Sequence, residues 1–234
     1  TRVGHGVRRI GAFSLDQEPL LEYEIGHLLY KLQHPERPVV ALLSGLAMDE
    51  SASRLLQELR QAFDLVNLEP SAASVPQPIK TLLVVHPQAL SERALYAIEQ
   101  FVLRGGRLML FIDPLTEQRS NLPPENTRLN ELLAAWGIQM PTNKLVVDDL
   151  YTPREAPGAP NQVRLNLPRQ AMNTNDISTW NLNRVTVSSS GALSQLGKSR
   201  TTFTPILQSS EQSVLLDANS LTSAAKIDAL MEEA

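Results

Sequence analysis

Residues 81–114 read TLLVVHPQALSERALYAIEQFVLRGGRLMLFIDP, and the rhythm of this stretch decides the fold. Thr81 to Val85 is an apolar run of strand length,. Ser91 carries the side-chain oxygen that an N-cap needs. Leu95, Ile98, Phe101 and Val102 then recur at the spacing of one helical face,. Gly105-Gly106 ends the helix, because glycine takes the left-handed conformation of a C-cap at little steric cost,. Leu108 to Ile112 is the next strand. Two strands joined by a helix of this length form a parallel pair with a right-handed crossover.

The same rhythm extends outward on both sides. Val7 to Phe13 reads as a strand, and Leu21, Ile25, Leu28, Leu29 and Leu32 line one face of a helix that Pro35 and Pro38 stop,. Val39 to Leu43 is a continuous apolar run, the pattern of a central strand buried on both faces,. Asp49 or Ser51 is expected to cap a helix carrying Leu55, Leu56, Leu59 and Phe63, before a strand over Asp64 to Leu68,. Downstream, Asn126 to Trp136 predicts a helix closed by Gly137, and Lys144 to Val147 a last strand. Residues 1–150 are therefore expected to form an α/β unit, a doubly wound and mostly parallel sheet with helices on both faces.

From Tyr151 onward the chain turns rich in Pro, Ser, Thr and Asn. Tyr151 to Pro160 reads as an exposed connection,. Short strands are expected over Val163–Leu167, Arg184–Val187, Thr202–Leu207 and Ser213–Leu216, and a terminal helix over Ser223–Glu233,. Large apolar residues are too few here to offset a backbone ordering cost of about 1 to 2 kcal/mol per residue. Residues 151–234 are thus expected to be a β-rich extension packed on the first part, not an independent domain.

Composition removes several functions. The chain has 234 residues, 42% of them apolar and 20% charged, which is too apolar for a disordered segment,. Its longest apolar runs, Val39–Leu43 and Leu108–Ile112, fall far short of the roughly 18 to 20 residues of a membrane span,. No stretch has the layout of a signal peptide, so any targeting segment is expected outside this sequence. With 25 acidic against 21 basic side chains and no basic cluster longer than Arg8-Arg9, nucleic acid is not an expected partner,. The absence of cysteine removes disulfides, thiolate zinc sites and cysteine nucleophiles together,.

In a parallel sheet the ligand crevice lies beyond the carboxyl ends of the strands. Three such ends carry polar residues: Ser44-Gly45, His86-Pro87 and Asp113-Pro114. Ser44, His86 and Asp113 are the candidate ligand-binding rim. They are also the residue types of nucleophilic catalysis, so a small-molecule hydrolase with Ser44 as nucleophile and His86 as base is one alternative. A solute-binding receptor is another. Against catalysis, strand-to-helix turns favour Ser, Asp, Gly and Pro for conformational reasons, and Ser44 lacks the Gly-x-Ser-x-Gly elbow,. No catalytic residue is therefore assigned. No P-loop or dinucleotide fingerprint occurs, and His5, His27, His34 and His86 show no metal-binding spacing,. No cofactor and no metal is expected. His27 is read as solvated, the Asp148-Asp149 pair as a strand terminus at a turn more than a cation site, and Trp136 and Trp180 as packing residues.

A resemblance sharpens this picture. The segment from Ala97 to Pro114, a helix ending in Phe101-Val102-Leu103-Arg104-Gly105-Gly106 and then a strand ending in Asp113-Pro114, resembles the auxiliary component of uncharacterised ABC-type transport systems, of the gliding-motility (GldG-like) kind. Glu22 to Leu32 with Pro38 to Leu43 is similar to that family's helix and first central strand, and Thr204 to Ser210 to its late Thr-Pro-Leu-Leu-x-Ser-Ser segment. The likeness spans Leu20 to Leu216. It implies a flavodoxin- or amidotransferase-like sheet and a non-enzymatic auxiliary or ligand-binding role outside the cytoplasm. It also implies permease and ATPase subunits as partners, with flanking segments tethering the whole protein to the inner membrane. Many members have Gly-His-Gly-Glu after the first central strand, where this chain has Ser44-Gly45-Leu46-Ala47.

Overall fold

A computed structural model describes residues 2–3, 6–7, 18, 21–34, 36–46, 52–87, 90–114, 127–153, 163–197 and 199–218. In chain order these form β1 (Arg2–Val3), β2 (Gly6–Val7), α1 (Leu21–Gln33), β3 (Val39–Ser44), α2 (Ser53–Ala62), β4 (Asp64–Asn67), β5 (Thr81–Val85), α3 (Glu92–Leu103), β6 (Arg107–Phe111) and α4 (Thr127–Ala135). There follow β7 (Ile138–Gln139), β8 (Lys144–Asp148), β9 (Arg164–Pro168), a 3₁₀ turn (Arg169–Ala171), β10 (Arg184–Ser188), β11 (Ser194–Gln195) and β12 (Ser213–Asp217).

The central sheet is parallel, in the order β4-β3-β5-β6. Strand alternation sends Ala41 and Leu43 of β3, and Leu82 and Val84 of β5, into one core,. There they meet Ile98 and Phe101 of α3 and Leu129 and Leu133 of α4. Val40 and Leu42 lie on the opposite face and are buried as well, as a central strand requires,. Ser91 caps α3 as expected, its hydroxyl accepting from the Ala94 N–H at 3.2 Å. Gly105, with φ +88°, closes the helix,. Gly106 serves another purpose: a Cβ there would stand 2.5 Å from the Phe101 ring, so only glycine lets the chain enter β6 beside it.

Several expectations change. β8 does not join the parallel sheet. It pairs antiparallel with β12, from Ser213↔Asp148 to Asp217↔Lys144, while β7 pairs with β11. β8 is buried from Leu145 to Asp148, and Val146 shares a second apolar cluster with Leu165, Leu167 and Ala171. Burial on both faces explains its unbroken apolar sequence, which read like a parallel strand. Thr202–Leu207 is not a ladder strand: only Leu207 makes a bridge, to Met172. The residue at the N-cap of α2 is Ala52, whose side chain has no oxygen to cap with; Asp49 and Ser51 lie outside the described residues. Ile25 and Leu29 of the α1 stripe are exposed. His27 is half-buried and stacks on Tyr23 at 5.7 Å, because the two rings stand one helical turn apart,. Trp136 packs on the first core as expected, but Trp180 is 51% exposed. Of the strand expected over Val7–Phe13 only Val7 is described, and the terminal helix lies outside the described residues.

Candidate functional site

The strand order reverses between β3 and β5, which places the topological switch point between their carboxyl ends,. Register fixes who stands there. Ser44 is level with Val85, and Val85 with Phe111. Ser44, His86 (one residue past Val85) and Asp113 (two past Phe111) therefore occupy successive strand ends on one rim. The ladder continues into the turns, since Gly45 N–H donates to the Val85 carbonyl at 2.9 Å and His86 N–H to the Phe111 carbonyl at 2.8 Å.

Each rim residue has a distinct state. The half-buried Ser44 hydroxyl donates to the Leu46 carbonyl at 3.0 Å and accepts the Leu46 N–H at 3.2 Å, so it closes its own turn. This is the turn chemistry serine offers when it competes with secondary structure. His86 is buried and holds φ +41°, an uncommon backbone for a side chain of this size,. Strain of this kind costs about 1 to 3 kcal/mol and survives only where surroundings fix it. Asp113 lies at the rim with surface open to solvent. Crowding around its carboxyl nevertheless withholds water and pushes its pKa up to about 6, opposed by the Gly191 N–H that donates to it,.

Gly191 belongs to a feature that sequence reasoning missed. The turn after β10 folds back on the rim: Ser189, buried at φ +54°, donates its N–H to the Val163 carbonyl, and the Ser190 carbonyl accepts from Val146 N–H. A Cβ at Gly191 would meet Pro114 at 2.8 Å and Met140 at 3.1 Å. One turn thus ties β8, the entry to β9 and the exit of β6 together. Its signal is the run Ser188-Ser189-Ser190-Gly191, a turn composition that says nothing of its tertiary partner,.

Asp148 has a structural task. Its fully buried carboxylate accepts from the N–H groups of Leu150 and Tyr151, and from the N–H and hydroxyl of Ser210. The carboxylate thereby turns the chain at the end of β8 and holds the segment that leads into β12. Among the described residues no cluster of His, Asp and Glu could hold a metal, and no helix is long and apolar enough to cross a membrane.

A family model described as an ABC-type uncharacterized transport system matches residues 37–234. Neither the curated proteins nor the solved structures contain a match.

Proposed function

We propose that this chain, which belongs to the auxiliary family of uncharacterised ABC-type transport systems, serves its transporter as a non-enzymatic domain outside the cytoplasm. The family match carries the reading: it runs from just before β3 through the C-terminal strands, across both the sheet and the extension. Ser44 supports the non-enzymatic part. Its hydroxyl proton is spent on the Leu46 carbonyl within its own turn, where a nucleophile would offer it to a base,. The lack of cysteine suits an oxidising compartment,.

In this reading the partners are the permease and ATPase subunits, and the whole protein is tethered to the inner membrane, as in the gliding-motility type. The rim at Ser44, His86 and Asp113 contacts a ligand or a partner segment. The rim offers a carboxyl whose pKa is raised to about 6, on the strand end next to that of the buried His86. The test is purification of the whole protein, tagged, from its native membrane in mild detergent. The expected result is stoichiometric recovery of an ABC-type ATPase and a permease. Recovery of the protein alone, under conditions where the ATPase and permease remain together, overturns the proposal.

A further inference from the structure

The two edges of the parallel sheet differ. β4 is four residues long and polar at both ends, with Asp64 paired to Arg37 at 3.0 Å, a charged protection of an edge,. Among the described residues β6 forms the other edge, and its one charged side chain, Arg107, stands at its start. Along one face it carries Arg107, Met109 and Phe111, all exposed, with Met109 at 53% and Phe111 at 47%. Register sets half-buried Leu83 and Val85 beside Met109 and Phe111, so the apolar surface is continuous.

The backbone says what such an edge can bind. Arg107 donates its N–H to the Lys80 carbonyl, and the Phe111 carbonyl accepts from His86, so the odd-numbered residues of β6 face β5. By strand alternation Leu108 and Leu110 turn their N–H and C=O groups outward. We propose that β6 is a homodimerisation edge, on which a second copy of this chain pairs antiparallel about a two-fold axis through Met109.

The sequence Arg107-Leu108-Met109-Leu110-Phe111 is self-complementary in that arrangement. Leu108 lies opposite the partner copy's Leu110, a hydrogen-bonded pair, and the relation repeats across the axis to give four backbone bonds. Met109 faces its own copy in the closer, non-hydrogen-bonded position. Arg107 lies opposite Phe111 on the same face, so a guanidinium meets an aromatic ring twice. An isologous contact needs this palindrome of chemistry. A strand from an unrelated protein would have no reason to match it.

The test uses the whole chain in solution. Light scattering after size exclusion is expected to give twice the 25.8 kDa of one chain. Met109→Lys sets two ammonium groups against each other on the axis and is expected to yield a monomer with an unchanged far-UV spectrum, since residue 109 is exposed. Because the chain has no cysteine, Met109→Cys supplies a single thiol. The expected Cα separation of about 4.5 Å in such a pair falls within the disulfide range. Under mild oxidation it should cross-link at least about tenfold faster than Leu103→Cys, because pairing raises its effective concentration. Leu103 is more open, at 68% against 53%, but stands on α3, off the edge. A monomeric wild type overturns the proposal. So does a dimer that survives Met109→Lys, or equal cross-linking at 103 and 109.

Discussion

Replacing Asp148 with alanine should loosen the junction between β8 and the segment that returns to it. The carboxylate is fully buried and gathers four donors, at 3.0 Å from Leu150, 3.1 Å from Tyr151 and 2.7 Å from each Ser210 group. Leu150 is 59% exposed, so its N–H can turn to water. The other three donors are left without an acceptor in a half-buried site, at about 1 kcal/mol each on the low side of the usual range. The expected loss is therefore about 3 kcal/mol. With a urea dependence of about 2 to 3 kcal/mol per molar, the midpoint should fall by about 1 M. Ser210→Ala is the control: it removes the hydroxyl and keeps the N–H, so it should cost about 1 kcal/mol. Urea unfolding followed by circular dichroism reads both. A loss below about 1 kcal/mol for Asp148→Ala, or equal losses for the two variants, would refute the reasoning.

Three further outcomes follow from the same geometry. Asp113, with its pKa raised from 3.8 to about 6, binds its proton more tightly folded than unfolded, so its favourable contribution is complete below about pH 4 and is lost as pH rises through about 6,. The shift sets a ceiling of about 3 kcal/mol, and the residue's exposure screens this to ~1 kcal/mol; Asp113→Asn should flatten the melting temperature between pH 4 and 7, and an unchanged slope would count against the assignment. Gly137 has φ +80°, and a Cβ there would stand 1.8 Å from the Ser199 hydroxyl and 2.3 Å from its Cβ. Gly137→Ala should therefore cost about 3 kcal/mol of strain and displaced loop in a thermal melt. Trp136 sits in the α/β part and Trp180 beyond residue 151; if the extension folds only on the first part, Trp136→Phe and Trp180→Phe proteins should give coincident fluorescence transitions in urea, whereas two separated transitions would mark independent folding.

How far the sequence carried depended on the range of the forces involved. The β5-α3-β6 unit was legible because its signals are local: an apolar run, the Ser91 cap, a helical stripe, the Gly105 stop. The three rim residues could be placed by topology alone, since parallel strands bring their carboxyl ends together. β8 was misjudged because burial on both faces looks the same whether the neighbours are parallel or antiparallel. Its true partner, β12, lies far along the chain, and the staple that joins them, Asp148 to Ser210, spans 62 residues. Gly191 was invisible for the same reason: a glycine in a serine run signals a turn, and only the fold shows Pro114 against it. Trp180 reversed expectation because its turn is held by Asp176, Thr179 and Asn173 through their own hydrogen bonds, without need of the indole.

The claim that this domain works at the outer face of the membrane is most directly tested by thiol labelling in intact cells. The chain has no cysteine, so Tyr96→Cys, at a side chain 60% exposed on α3, creates one reporter in this domain of the whole protein. A membrane-impermeant maleimide should label it fully before lysis once the outer envelope is permeabilised. Labelling that appears only after the inner membrane is broken would contradict the account.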